Sequence, residues 1–266
     1  MNKKAVVFPP NFINLVETTK ESLIGWGNPN SQILIIGCEP ATPIDELNKI
    51  NREILYNRDQ WTVNLKDGSN FVSWTEQMNP SDNPCKMLEF GYDNYNPRHP
   101  YCRQINSHFP SKEGTSWTWW CYQKLIDKLR GITTRHRDLN FFDYAFVTDL
   151  SDINSPKSVN VKYEDKDKAI KRRKDTLFSH PFFQSFPITI VACGHYVRQF
   201  DLRLNDIFSI PYNSIQYDKN DVWINLHLNS RNRILLHTQH FAAHGLKIND
   251  YMDRIVNLCS DSRIIQ

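Results

Sequence analysis

Apolar runs of strand length alternate with amphipathic helical patterns along this chain. Four of the runs predict buried strands, at residues 32–36, 143–148, 188–193 and 233–236. Helical spacing of apolar residues predicts helices around them, at residues 12–24, 43–55, 116–129, 164–178 and 248–258. A further strand at 222–228 and a short helix ending at Phe200 complete the pattern. Because this alternation is typical of α/β proteins, we predict a three-layer sandwich with a central parallel sheet of about four strands.

Residues 57–114 lack both periodicities and are rich in Asn, Asp, Pro and aromatic side chains. A loop-rich segment of this length inside a compact domain is typical of a functional insertion or a lid. An insertion that its own aromatic side chains hold together, without a ligand role, accounts for the pattern equally well. The chain has 266 residues, which is enough for one large domain. We predict a single domain over residues 1–266 that carries this insertion.

The composition is that of a globular protein, with 40% apolar and 23% charged residues and a formal net charge of +3. The six cysteines form no Cys-x-x-Cys pair, so the usual spacing of a zinc site or an iron–sulfur cluster is missing, and we predict neither a metal nor a cofactor. No stretch approaches the roughly 20 apolar residues of a membrane span, and the first apolar region is too short for a signal peptide. These features predict a cytoplasmic monomer without membrane contact.

One basic cluster occupies residues 166–174, within the helix predicted at 164–178. Its acidic neighbours Glu164, Asp165 and Asp175 favour a solvated helix face. The alternative is a surface that contacts the phosphate groups of a nucleic acid.

Polar side chains follow the first and the last of the four predicted strands. Gly37-Cys38-Glu39-Pro40 comes after the first strand, and His237-Thr238-Gln239-His240-Phe241 comes after the last. If these strands are parallel, Glu39 and His237 converge at the carboxyl edge of the sheet, where open α/β sheets bind ligands. A carboxylate held there can position water or stabilise a cation, and an imidazole can act as an acid, a base or a hydrogen-bond donor. A carboxylate that only complements a helix dipole, and a purely structural histidine, are the alternatives.

These segments, together with Asp149 after the second strand and Gly194-His195 after the third, resemble in their order the uracil-DNA glycosylase superfamily. In that family a Gly-x-Asp-Pro or Gly-x-Asn-Pro loop positions water, a later Asn reads the base, and a histidine of the last loop stabilises the oxygen of the departing base. The resemblance implies the family's α/β fold, and it makes Glu39 and His237 the catalytic residues. The base or substrate would be contacted by Gly37, Cys38, Pro40, Asp149, His240 and Phe241, with Phe241 in the position of the family's DNA wedge.

The chain departs from the family's motifs at three points. Glu39 is one methylene longer than the family's Asp, Asp149 replaces the base-reading Asn, and Thr238 and His240 replace two prolines of the last loop. An ionised Asp149 cannot donate a hydrogen bond to a base carbonyl, but it can accept one from an exocyclic amine or a ring N–H. A preference for uracil is therefore not implied. For Phe241, core packing is the alternative to the wedge.

The resulting expectation is a DNA-base glycosylase-like protein that hydrolyses the N-glycosidic bond of a flipped-out base, with DNA or a nucleotide as its partner. The alternative is a non-catalytic nucleic-acid or nucleotide-binding module on the same fold. An unrelated α/β hydrolase is disfavoured because the sequence has neither a Gly-x-Ser-x-Gly elbow nor a phosphate-binding loop.

Overall fold

A computed structural model describes residues 7–40, 47–67, 117–133, 141–154, 161–217, 222–229, 233–243 and 245–262. In this part of the chain the strands are β1 Trp26–Gly27, β2 Ile33–Gly37, β3 Ala145–Asp149, β4 Ile188–Val191, β5 Tyr212–Tyr217, β6 Trp223–Asn229 and β7 Arg233–Thr238. The α-helices are α1 Pro10–Thr18, α2 Leu47–Asp67, α3 Trp117–Leu129, α4 Tyr163–Arg173, α5 Tyr196–Gln199, α6 Leu204–Phe208 and α7 Ile248–Asp261. A 3₁₀ turn at Phe141–Asp143 precedes β3, and a π-helical turn at Lys174–Phe178 continues α4.

The strands form one sheet in the order β1-β3-β2-β4-β7-β6-β5. β3, β2, β4 and β7 are neighbours and run parallel, with Gly37 opposite Asp149 and Val191 opposite His237. β1 at one edge, and β6 and β5 at the other, are joined by antiparallel pairing. The α/β class is confirmed, and the four predicted strands are the four parallel neighbours, but the described sheet as a whole is mixed and has seven strands rather than about four. The two edge strands could not be predicted from the apolar pattern, because β1 has only two residues and β5 is largely polar.

Side chains that alternate along the central strands build two separate apolar cores. In β2, Ile33 and Ile35 face one core, whereas Leu34 and Ile36 face the other. The first core also receives α3 and α7, and the second receives α1 and side chains from the segment 177–210. Because both faces are covered, all five residues of β2 are buried. Because both faces are covered, the ends of the strands are the part of the sheet that a ligand can reach.

Helix α2 continues to Asp67, ten residues past Asn57, where the loop-rich segment is predicted to begin. Asn57 and Trp61 are fully buried in this extension. The Asn57 side-chain oxygen accepts hydrogen bonds from the N–H groups of Ile24 at 2.9 Å and Gly25 at 3.1 Å, and Trp61 Nε1 donates to the Gly25 carbonyl at 2.8 Å. The Asn57 side chain and the Trp61 indole N–H thus anchor this helix to the turn at Gly25. Because a polar residue takes a buried position of the helix, the apolar periodicity of its sequence is weak. Residues 68–114 of the predicted insertion lie outside the described residues.

Two further observations concern the helices. α1 ends at Thr18 rather than at residue 24, and it buries Phe12, Leu15 and Val16. No described helix combines the length and the apolar character that crossing a membrane requires.

Candidate functional site

The carboxyl ends of β3, β2, β4 and β7 lie side by side because the four strands are parallel. Backbone hydrogen bonds also join the loops that follow these strands. Ser151 N–H donates to the Cys38 carbonyl at 2.9 Å, and Gly194 N–H donates to the Thr238 carbonyl at 3.0 Å. This edge, here called the carboxyl rim, also carries Glu39, Asp149 and His240.

The two carboxylate oxygens of Glu39 differ in their contacts with the described residues. Its side chain is only 6% exposed. Oε1 accepts hydrogen bonds from the Lys166 ammonium at 3.3 Å and from the Tyr196 hydroxyl at 2.8 Å. The buried Oε2 has no hydrogen-bond partner among the described residues. Leaving a buried acceptor unsatisfied costs roughly 1–3 kcal/mol, and a bound water or ligand with an O–H or N–H donor offsets that cost.

Lys166 reaches Glu39 because two cationic side chains of the basic helix α4, those of Lys166 and Arg173, are buried in the protein. Lys166, Ala169, Ile170 and Arg173 are buried at the spacing of one helix face, whereas Lys168 and the other basic residues of the helix are exposed. The interpretation of the cluster as a solvated face is therefore wrong for Lys166 and Arg173. A signal for this was present in the sequence, since both cations fall in line with the apolar Ala169 and Ile170.

Arg173 fixes the end of β3. Its guanidinium is fully buried and donates hydrogen bonds to the carbonyls of Leu23 at 2.6 Å and Asp149 at 3.0 Å and to the Thr148 hydroxyl at 3.0 Å. The Glu21 carboxylate lies 3.6 Å away. Burial lowers the pKa of Arg173 from its ordinary value, although an arginine stays charged at neutral pH. The backbone at Asp149 is thereby tied to the segment before β1.

His237 is a structural histidine in this arrangement. Its ring is buried, Nε2 donates to the Gly194 carbonyl at 2.8 Å, and Nδ1 accepts from the Asn225 amide at 3.1 Å. Burial lowers the pKa of His237 to about 4, so the imidazole is neutral at physiological pH. Because both ring nitrogens are bonded within the protein, neither is left for the contact with a departing base that the expected catalytic role of His237 requires. His237 instead supports the turn at Gly194, whose φ is +54°.

The Glu39 carboxylate acts on the pKa of His240 and not on that of His237. Burial lowers the pKa of His240, and the Glu39 carboxylate opposes this shift. Nδ1 accepts a hydrogen bond from the Ala242 N–H at 3.2 Å, so in the neutral ring the proton lies on Nε2. The histidine and the carboxylate of the candidate site are therefore His240 and Glu39. The sequence suggested a substrate contact for His240 but not this pairing.

Asp149 lies across the end of β2 beside Glu39's loop. A Cβ atom at Gly37 would overlap Asp149 Oδ1 and lie 3.1 Å from the Tyr122 hydroxyl. Gly37 is thus required for the close approach of the Asp149 carboxylate. The pKa of Tyr122 is raised well above its ordinary value, first by burial and then by the Asp149 charge. Asp149 therefore reaches the carboxyl rim, as expected, and its role in reading a base stays a prediction.

The remaining predicted contact residues differ in accessibility. Cys38 is a half-buried free thiol, and Pro40 is buried. Phe241 is only 1% exposed, and its ring packs against Tyr122 and Tyr251, with centroids 5.8 and 6.4 Å apart. The wedge interpretation of Phe241 is therefore wrong in this structure, because a ring in the core cannot enter a base stack. Its alternative, core packing, is what the structure shows.

Tyr196 is a site residue that the sequence did not single out. It begins α5, directly after the Gly194 turn at the end of β4's loop. Its hydroxyl accepts a hydrogen bond from Lys166 at 2.9 Å and donates one to Glu39. The available signal was its place two residues after a glycine turn at a strand end.

Among the described residues, no group of three or more His, Cys, Asp or Glu side chains is arranged to hold a metal ion. Comparison with known proteins finds no family model and no curated sequence that matches this chain.

Proposed function

We propose that this protein hydrolyses the N-glycosidic bond of a nucleotide whose base is turned out of its stack, with Glu39 and His240 as the catalytic residues. One observation supports the proposal above the others. A buried carboxylate at the carboxyl rim has one oxygen, Glu39 Oε2, that no described residue contacts by a hydrogen bond, while the other oxygen is held by two donors. Such an oxygen is suited to accept a hydrogen bond from an attacking water.

The ion pair between Lys166 and Glu39 determines which catalytic role suits Glu39. Lys166 lies 3.3 Å from the carboxylate, so the net field that a cationic sugar would feel is reduced. Positioning and deprotonating water therefore fits Glu39 better than stabilising an oxocarbenium ion by charge alone. Two donors on Oε1 fix the plane of the carboxylate, and this orients Oε2. In the reaction the bond from C1′ to the base nitrogen breaks, the bond from C1′ to the water oxygen forms, and Glu39 accepts the water proton.

His240 takes the role of stabilising the departing base. Burial keeps its imidazole neutral, and the Nε2 proton has no acceptor in the described part of the chain, so it is available to a ligand. A neutral ring donates a hydrogen bond to an anionic base oxygen without surrendering its proton, so the base leaves as a hydrogen-bonded anion. The role that the resemblance implied for His237 is thus assigned to His240, three residues further along the chain.

A second candidate function has an observation in its favour. His237 is bonded internally and Phe241 lies in the core, so the residue that the resemblance implied for catalysis and the one that it implied as a DNA wedge both have structural roles. A non-catalytic module that binds nucleic acid or a nucleotide at the carboxyl rim would need neither of them.

The test is base release from labelled oligonucleotides that carry uracil, hypoxanthine, xanthine or an alkylated base, in single- and double-stranded form. We expect cleavage of the abasic product for at least one base, and a loss of rate by at least about 100-fold in Glu39→Gln, because a positioned base contributes about that much. Glu164→Gln is the matched control, since Glu164 is an exposed carboxylate on α4. Tight binding without release of any base supports the module, and equal rates for wild type and Glu39→Gln contradict the proposed role of Glu39.

A further inference from the structure

A stacked pair of tryptophans stands at the start of α3. The ring centroids of Trp117 and Trp120 are 4.5 Å apart, with an angle of 27° between the planes. Trp117 is 40% exposed. The Lys124 ammonium lies 4.2 Å from the centroid of the Trp120 ring. At spacings of three and four, these three residues share one face of the helix.

The contacts of α3 place this pair at the carboxyl rim. Lys124 is hydrogen-bonded to Asn249, and Lys128 to Asp253, so α3 and α7 run side by side in the same direction. α7 begins near the rim, because the Tyr251 hydroxyl accepts a hydrogen bond from the N–H of Gln239, the residue that follows β7. The next residues of α3 touch the loops after β7 and β2, since Cys121 Sγ lies 3.9 Å from the Phe241 carbonyl and the Tyr122 hydroxyl lies 3.1 Å from the position of a Cβ atom at Gly37. The first turn of α3 therefore lies next to the carboxyl rim.

We infer that the Trp117–Trp120 pair is a stacking platform for a base of a single-stranded nucleic acid that lies along the carboxyl rim. An exposed indole backed by a second indole presents a rigid π face, and stacking of bases on such faces is largely independent of sequence. The ammonium of Lys124, on the same helix face, matches the negative phosphates that alternate with the bases along a strand. The inference rests on the proposed function only in placing nucleic acid at this rim, and it requires no cleavage.

A neutral sugar ring is the main competing occupant, because it too stacks on an indole. Such a ring gains little from the nearby cation, whereas a polynucleotide gains a contact that weakens as salt concentration rises. The charge on this helix face is the reason we favour the nucleic acid.

The test is fluorescence anisotropy of a labelled oligothymidylate of about 12 nucleotides with the full chain. We expect Trp117→Ala to weaken binding about tenfold, and Trp117→Phe to retain most of the affinity, because a phenyl ring keeps a π face. Tyr212→Ala is the matched control. Tyr212 is also exposed, at 54%, but it lies at the start of the edge strand β5. It is opposite His227 of β6, and His227 is opposite the amino half of β7, so Tyr212 lies away from the carboxyl rim. Thermal unfolding checks that each variant is folded.

A second measurement identifies the contact directly. An oligonucleotide with 5-bromouracil, irradiated on the wild-type protein, should form an adduct that mass spectrometry assigns to Trp117 or Trp120. The inference is overturned if the full chain binds no oligothymidylate, if Trp117→Ala binds as tightly as wild type, or if a neutral oligosaccharide displaces the oligonucleotide. Binding that depends on Trp117 without base release from any substrate leaves the platform standing and rejects the proposed chemistry alone.

Discussion

Replacing Arg173 with methionine should lower the free energy of unfolding by about 4 kcal/mol. Arg173 is fully buried and donates to the carbonyls of Leu23 and Asp149 and to the Thr148 hydroxyl. Methionine fills much of the same volume but donates to none of them, and each buried acceptor left without a donor costs about 1–3 kcal/mol. In the variant, the Glu21 carboxylate still has the Arg172 guanidinium 3.0 Å away. The loss of stability therefore arises mainly from the acceptors that no longer receive a hydrogen bond, and not from an unpaired charge on Glu21.

Urea unfolding of the variant measures this loss, with Lys171→Met as the control. Lys171 belongs to the same helix and is exposed, so its removal should change stability little. Arg173→Lys should fall between wild type and Arg173→Met, because an ammonium supplies one of the donors but not the planar fork. If Arg173→Met were as stable as Lys171→Met, the guanidinium would not be the tie that holds β3 to the segment before β1.

Replacing Lys166 with methionine should cost about 3 kcal/mol of stability, because it leaves a buried carboxylate without its cation. The side chains of Lys166 and Glu39 are 7% and 6% exposed, so solvent cannot replace the lost partner. The Tyr196 hydroxyl remains at 2.8 Å from Oε1, which keeps the cost at the lower end of the usual range. The same variant should also slow base release, since the carboxylate loses one of the two donors that orient it.

Lys168→Met is the matched control for Lys166→Met, because it removes the same charge from an exposed position of the same helix. The double variant Lys166→Met with Glu39→Gln isolates the pair by a double-mutant cycle. We expect the double variant to lose less stability than the sum of the single losses, because a neutral amide does not require the cation. Strictly additive losses in urea unfolding would show that the two side chains are not coupled.

The central strands of the fold could be predicted because their apolar runs are unmistakable. Residues Ile33–Gly37 and Ile188–Val191 are buried on both faces of the sheet, and such strands appear in the sequence as continuous apolar segments. The edges could not be predicted in the same way. Tyr212–Tyr217 is a strand because it pairs with β6, and pairing with a neighbour leaves no apolar run in the sequence.

The candidate site could be predicted only as a region. The polar loops after the first and last strands indicated the carboxyl rim correctly, and Glu39 and Asp149 do lie there. His237 is bonded at both ring nitrogens, by Gly194 of the loop after β4 and by Asn225 of β6, and this leaves His240 as the histidine of the candidate site. The sequence records no such competition for hydrogen bonds, so His237 and His240 could not be told apart.

The burial of Lys166 and Arg173 could not be predicted for a different reason. A run of nine residues with six basic side chains suggests a solvated helix, and burial of a lysine is rare unless a partner is present. The partners, Glu39 and Glu21, lie more than a hundred residues away in the sequence. Only the helical alignment of Lys166 and Arg173 with Ala169 and Ile170 indicated that these two face the core.

The most direct test of the account is an NMR titration of the His240 ring in wild type and in Glu39→Gln. Burial already holds the pKa of His240 below its ordinary value, and the Glu39 carboxylate opposes that shift. Because the amide carries no charge to favour the imidazolium, the pKa of His240 should fall further in the variant. His227, whose lowered pKa arises from burial, serves as the internal control and should not move. An unchanged pKa of His240 in Glu39→Gln would contradict the pairing of Glu39 with His240 at the carboxyl rim.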